Sequence, residues 1–565
     1  MKKLPFTGLL IINILLQLDV YSVGLDIPQK LESSSLIFTS SNLPIVVINT
    51  NGQPIVNDKK ITADMGIIYN GEGIRNYLTD PFNNFNGKIG IELRGSSSQM
   101  FPKKQYAVET RDSAGNDLDV SLLGFPPESD WILFAPYNDK TLIRDVLAYK
   151  LANDFGCYAS RSKFCEVVLN NEYVGVYVLL EKIKRDANRV NIKKLEPADI
   201  SGDALTGGYI IKIDKSDGEN NSGWLSNYLP FQQTSNKVYY QYHYPAADEI
   251  VQAQKNYIQT WIFNFETVMK YSSNIADTST GYPKYLDVNS FVDFVLINEI
   301  TKNVDGYRLS TYFYKDRDSK NTKLFAGPVW DFNLGFGNAD YYEGGLTTGW
   351  QLQYLTNYSN MSNEAFLAPF WWRKLFDDTN FRNNVYARWN QLRTSNLKVQ
   401  NILNTVDSLT TLLSEAKTRN FERWQVIGQW VWPNYFVGQT YEQEIAFLKG
   451  WITNRIYWLD ANMIGEPTNL RERNDLMPFG FSLSQNYPNP FNPNTTFEYS
   501  VPMQSYIQIV IFDVMGNCIS TIVEETKSPG KYSVEFDAFN LSSGIYYCKM
   551  NAADFTAVRK IILLK

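Results

Sequence analysis

Three stretches of the chain gather side chains that could do chemistry. The first, ELRGSSSQMFPKKQY at 92–106, sets one glycine, three serines and two lysines beside a strand. A glycine-serine turn lets backbone amides approach an anion, and a neighbouring lysine can neutralise phosphate. The spacing is not that of a P-loop, since no Gly-Lys-Ser/Thr follows at the required distance. A polar hairpin with solvated lysines is the alternative. The second, KNVDGYRLSTYFYKD at 302–316, places Asp305 where a helix gives way to a strand, a position at which a lone aspartate usually turns or caps the chain. The third, AGPVWDFNLGFGN at 326–338, ends an apolar strand on Asp331 and runs into a glycine-containing loop. A hairpin between the two aspartates could bring them together. Such a pair can hold Mg²⁺, which takes few protein oxygens and completes its shell with phosphate and water.

Composition removes several alternatives. The 565 residues contain one histidine, His243, so a multi-histidine metal centre is excluded and a nucleophilic triad would have no other base to draw on. His243 reads as an ordinary surface or packing residue. The formal charge of −6 offers no basic field for nucleic acid. A hydrophobic share of 44% with 15% aromatics supports a large core rather than disorder. Lys2, Lys3, the apolar run from Leu9 to Leu16 and the small residues Ser22 and Gly24 have the form of a secretory signal over 1–24. An uncleaved interfacial anchor is the other reading, and no transmembrane helix is expected in the mature chain. Export permits disulfides, so Cys157–Cys165 and Cys518–Cys548 are the expected bridges, with free buried thiols as the alternative.

The elements that must position these residues follow from periodicity. A polar, serine-rich linker occupies 25–42. From Leu43 come short strands, LPIVVINT, KITADMGIIYN, KIGIELRG and KKQYAVETRD, separated by turn residues such as Asn51-Gly52. A loop-rich connection, LLGFPPESDWILFAPYNDK, leads to a helix over 140–155, with Asp139 as a candidate cap. The strands FCEVVLN, YVGVYVLLEKI and GGYIIKID follow. Helical spacing returns at 254–272 and 287–303, interrupted by the strands RLSTYFYKD and KLFAGPVWD. It then dominates 364–465, where the tryptophan-rich stripe reads as core. Charge, proline and glycine mark a second linker at 466–480. Alternating strands over 481–565 predict a small all-β sandwich.

The order of the parts says more than any one of them. It runs strand with lysine, helix, two strands ending in LLEKI, helix, Asp305 loop, hairpin and Asp331 loop, which is the order of phosphate lysine, regulatory helix, hinge, catalytic aspartate and metal aspartate in a protein kinase. Over roughly 43–345 the sequence resembles the CotH family of secreted atypical kinases. The motifs that carry the likeness are RGSSSQMFPKKQYAVET, LLGFPPESDWILFAPYNDKTLIRDVLAYKLA, EVVLNNEYVGVYVLLEKI, NVDGYRLSTYFYKD and GPVWDFNLGFGN. The resemblance implies an α+β chain. An atypical kinase-like domain with a helical C-terminal extension would span 43–465, and would bind ATP with Mg²⁺ or Mn²⁺ and phosphorylate a protein substrate.

Carried over position by position, the resemblance makes Asp305 the catalytic aspartate and Asp331 the metal ligand. Lys104 takes the phosphate, with Lys103 as its alternative, and Arg94 stands in the same nucleotide-facing turn. Glu181 and Lys182 fall at the hinge, their backbone toward adenine. Ser310 replaces the asparagine that usually supplies a second metal ligand, and Asn333 replaces a second metal aspartate. Both changes lower the negative charge at the metal, so a nucleotide-binding pseudokinase or a non-catalytic surface protein is the alternative. The helix at 140–155 offers no glutamate to pair with the lysine, only Asp145 in its interior.

The tail resembles the type IX (Por) secretion C-terminal sorting domain through FSLSQNYPNPFNPNTTFEYSVP, DVMGN, SSGIYYCKM and VRKIILLK. That likeness implies passage through the periplasm, recognition by the type IX secretion machinery and a final place outside the cell or on its outer surface.

Overall fold

The computed structural model describes residues 37–57, 59–215, 222–463, 481–501, 505–527, 530–552 and 555–565. The leader expected at 1–24, most of the linker after it and the 466–480 connection lie outside the described residues. Every described strand and helix belongs to the unit Thr39–Lys565.

Seven strands form the first layer: β1 (Ile45–Asn49), β2 (Ile61–Ile68), β3 (Phe85–Arg94), β4 (Gln105–Arg111), β5 (Asp130–Phe134), β6 (Ser162–Leu169) and β7 (Glu172–Glu181). They close into a barrel in the order β1-β2-β3-β4-β5-β7-β6, with β1 and β6 joined in parallel and the other pairs antiparallel. Side chains of period two, such as Ile89 and Ile91 of β3 and Tyr177 and Leu179 of β7, fill a core with Met65, Val108 and Leu133. Strand β5 corrects the loop-rich connection that the sequence predicts here. Pro126-Pro127 and Pro136 flank its short apolar run and conceal it.

Helix α1 (Arg144–Asp154) follows, starting from Ile143 rather than from Asp139. Asp139 still serves the helix start, since its Oδ2 accepts the Arg144 amide at 2.8 Å.

A second, antiparallel sheet contains β8 (Tyr209–Ile213), β9 (Gly223–Leu225), β10 (Tyr239–Tyr244), β11 (Thr311–Lys315) and β12 (Leu324–Ala326), in the order β9-β10-β8-β11-β12. Strand β10 was not anticipated. It carries His243, which packs edge-on against Tyr312 and bonds through Nε2 to the Ile183 carbonyl at 2.9 Å. Burial pulls its pKa down to about 4, so the ring is a neutral packing group.

Helices α2 (Gln252–Tyr271) and α3 (Val288–Thr301) share the main core with this sheet. So do α4 (Phe370–Asp377), α5 (Thr379–Arg393), α6 (Val399–Leu412), α7 (Ala416–Arg423) and α8 (Tyr441–Asn462). Trp371, Trp372, Trp389 and Trp451 are buried there, so the aromatic stripe is core, as its spacing predicts.

The tail is all-β. A short strand at Ser482–Leu483 pairs with β13 (Asn494–Val501), which pairs with β16 (Gly530–Asp537). The other sheet has β14 (Ser505–Phe512) between β15 (Cys518–Lys527) and β17 (Gly544–Ala552), with β18 (Phe555–Leu563) at its edge. Phe497 and Tyr499 of one sheet meet Ile507, Met550 and Ile561 of the other in one apolar cluster.

All four cysteines are free, which corrects both expected disulfides. Strand β14 lies between the strands of Cys518 and Cys548, and Cys548 is buried while Cys518 is exposed. Cys165 faces the barrel core, whereas the Cys157 thiol is directed at Asp293.

Candidate functional site

Where the barrel meets the second sheet, a cavity of about 590 Å³ opens. Each strand end contributes by its register. On β8, Ile211 and Ile213 enter the main core while Lys212, between them, lines the cavity, followed by Asp214 and Lys215. Strand β3 ends on Arg94, and the turn Gly95-Ser96-Ser97-Ser98 continues the wall. Gly95 adopts φ +96°, and a Cβ there would stand 2.0 Å from Ser98 Oγ, so the turn needs glycine.

Asp305 and Asp331 both line this cavity. Helix α3 ends in the left-handed conformation at Lys302, and Asn303 follows. The Asn303 side chain joins the two acid loops: its Oδ1 accepts the Asp305 amide at 3.1 Å, and its Nδ2 donates to the Asp331 carbonyl at 3.4 Å. The Phe336 amide donates to the Thr301 carbonyl at 2.6 Å, so the loop after Asp331 is fastened to the end of α3 a second time. Helix α1 supports the same turn from the other side. The Phe332 amide donates to Asp145 Oδ1 at 2.7 Å, and the Asp331 amide donates to the Tyr149 hydroxyl at 3.2 Å. Asp331 and Ser310 hold φ of 64° and 47°, left-handed values uncommon for such residues and found disproportionately at functional sites.

The charges here are unbalanced in an informative way. Asp331 is pushed up to about 6, first by burial and then by the charges of Asp305 and Asp214, against the pull of Arg94 and Lys215. Burial also raises Asp305, while Arg308, paired to it at 2.8 Å, opposes the shift. Asp145 is raised by burial and by Asp331, and its Oδ2 is buried without a hydrogen-bond partner. Burial lowers the Arg94 guanidinium against the attraction of Asp331. Arg94 lies over the Trp330 ring at 5.6 Å, and Trp330 in turn stacks on Tyr149. Among the described residues no three carboxylate, imidazole or thiol groups gather into a cation cage.

Of the residues selected from sequence, Arg94, Asp305, Ser310, Asp331 and Asn333 line the cavity together. Asn333 is held by a 3.2 Å bond from its Nδ2 to Asn138 Oδ1. Lys103, Lys104 and Glu181 do not line it. Lys103 is buried, bonded to the Val176 carbonyl and to Asn420 Oδ1, and lies over the Tyr177 ring. Lys104 Nζ donates to the Gln99 carbonyl. The Glu181 carboxylate is buried against Arg161 and the Tyr158 hydroxyl, and the cavity instead meets β7 at Leu180. Lys212, Asp214, Lys215, Asp145 and Tyr149 were not selected. The charged run Lys212-Ile213-Asp214-Lys215 at the close of an apolar strand was the available signal for the first three.

Comparison with known proteins identifies the family. The CotH kinase protein family matches residues 91–459, well over half of the sequence. The chain belongs to the CotH kinase family. Within the reach of that match lie every strand of the second sheet, both acid loops and the helical block except the end of α8. Inner spore coat protein H of Bacillus subtilis (strain 168) is 24% identical over 249 residues, covering 44% of this chain and 59% of that relative's length. Residues 485–564 match a secretion system C-terminal sorting domain, which marks the chain for secretion or attachment at the cell surface. No helix among the described residues is long and apolar enough to cross a membrane.

Proposed function

We propose that the cavity binds ATP with a divalent cation and transfers the γ-phosphoryl group to a hydroxyl of a protein substrate, outside the cell or at its surface. The observation that carries this reading is the convergence of Asp305 and Asp331 on one cavity that also holds three cationic side chains, Arg94, Lys212 and Lys215. Phosphoryl transfer asks mainly for positioning and charge stabilisation, and this set supplies both. Asp305 orients the acceptor hydroxyl and takes its proton. Arg308 fixes the Asp305 carboxylate, leaving one oxygen for the substrate. Arg94, Lys212 and Lys215 offset phosphate charge, in the role that the sequence reading gave to Lys104.

The residues suit a hard cation. Asp331 carries a pKa lifted by burial and then by its anionic neighbours, and the partnerless Asp145 Oδ2 is a buried oxygen on the same wall. Asp331 would hold the cation, with Asp145, Asn333 or Ser310 as further oxygen donors, and phosphate and water completing the shell. Bound there, the cation neutralises the phosphate oxygens. The seven-stranded barrel takes the place of a kinase's nucleotide lobe, and α1 that of its regulatory helix, with Asp145 reaching the metal loop directly.

Transfer of radiolabelled phosphate from ATP with Mg²⁺ or Mn²⁺, comparing the wild-type chain with Asp331→Ala, tests the reading. A loss of at least about a hundredfold is expected, the scale on which removal of one electrostatic group acts. Equal incorporation by the two proteins removes it. Ser310 and Asn333 favour a second reading, a pseudokinase, for which nucleotide raises the melting temperature without turnover.

A further inference from the structure

Beside Asp305 the cavity has a wall unlike the rest. Trp432 lines it with 36% of its surface exposed, and its indole stacks on Tyr341, centroids 6.1 Å apart and planes within 14°. Tyr341 meets Tyr342 edge-on at 4.7 Å, and Tyr342 lies under the Arg308 guanidinium at 5.0 Å. Arg308 is the residue paired with Asp305, so the aromatic wall runs to the proton-accepting carboxylate. Burial and the Asp305 charge both raise the Tyr341 hydroxyl, which places this ring within electrostatic reach of that acid.

The wall is built, not incidental. The chain just after Trp432 is anchored twice: the Asp340 amide donates to the Pro433 carbonyl at 2.9 Å, and the Tyr435 amide to the Asn338 carbonyl at 2.8 Å. The buried Asn434 amide donates to Asn338 Oδ1 at 2.9 Å and to the Asn138 carbonyl at 2.7 Å. A large apolar ring is therefore held, already ordered, at the edge of a polar cavity, so binding against it does not have to immobilise it. Trp330 is the other indole of the cavity, but Arg94 covers it and it adjoins Asp331. Trp432 stands on the acceptor side.

We infer that Trp432, backed by Tyr341, selects the acceptor: it takes an apolar or aromatic side chain next to the hydroxyl that receives phosphate. This rests on the phosphotransfer reading above and adds the class of protein segment that enters. Two labelled peptides, identical except for Phe or Ala beside the acceptor serine, are bound to the full chain loaded with Mg²⁺ and a non-hydrolysable ATP analogue, with fluorescence anisotropy as the readout. The wild-type chain is expected to prefer the Phe peptide about tenfold, the scale of one apolar contact. In Trp432→Ala the ratio falls to within about twofold, and Trp432→Phe keeps most of it. An unchanged ratio in Trp432→Ala overturns the inference, as does a wild-type chain that binds neither peptide or both equally. Nucleotide-induced thermal shift of the wild-type chain separates the two failures. A chain that binds nucleotide yet does not discriminate loses this inference alone, while one that binds no nucleotide loses the earlier reading and this one with it.

Discussion

Asn303 lies between two acids that no local pattern ties together. One end of its amide accepts from the Asp305 backbone and the other donates to the Asp331 backbone, so a single buried side chain sets the spacing of the proposed proton acceptor and cation ligand. Asn303→Ala removes both bonds. The expected result is a loss of about one to two orders of magnitude in phosphate transfer, the cost of misplacing reacting groups by about an ångström. Global stability should fall by about 1–3 kcal/mol, the cost of buried polar groups left unpaired. A transfer assay and a urea melt on the same preparation measure the two effects. At this scale the sequence was legible in the two acid loops that it singled out, although Asp331 stands beyond β12, which ends at Ala326, and not at a strand end. It was less so for cations. Two adjacent lysines at 103 and 104 attract attention, yet one is consumed inside the barrel contact with Asn420 and the other closes its own turn. Lys212, in the charged run that closes β8, resembles a solvent-facing residue until the facing layer is known.

Among elements, the helical block acquires a purpose that its sequence lacked. Arg455 of α8, fully buried, donates through Nε to the Glu299 carbonyl at 2.7 Å and pairs with the Glu299 carboxylate at 3.0 Å. Glu299 also accepts from the Tyr307 hydroxyl and from the amides of Gln351 and Leu352. The last turn of α3, from which the Asp305 loop departs, is thereby gripped by the final helix of the block. Arg455→Ala leaves a buried carboxylate without its counter-charge, and a destabilisation of about 3–5 kcal/mol is expected in denaturant melts. Periodicity revealed that these helices exist and that their tryptophans are core, because a 3.6-residue stripe is a local signal. It could not show that Arg455 meets Glu299, a pairing made by the packing of elements far apart in sequence. Strand β5 escaped for the opposite reason: its apolar run is short, and the prolines around it speak for loop.

For the whole molecule, stability should depend on pH through Glu266, which sits in the main core rather than in the cavity. Its carboxylate accepts from Ser226 Oγ at 2.8 Å and from the Tyr240 hydroxyl at 2.9 Å, and burial lifts its pKa from 4.5 to about 7. Between those values the native chain holds a proton that the unfolded chain has released, so this group's contribution falls as pH rises through the window. Glu266→Gln, whose amide can donate to Ser226 Oγ, is expected to melt higher than wild type at pH 8. The gain shrinks through pH 7 and vanishes below about pH 4.5. Calorimetry across that range checks it, and a gap that does not change with pH refutes it.

The cavity takes its wall from Asn57 at one extreme and Trp432 at the other. During synthesis, therefore, the strand bearing Arg94 leaves the ribosome long before the loop that supplies the indole. A nascent chain halted anywhere in between owns part of the wall and none of the finished chamber, and no short excised fragment can stand in for it.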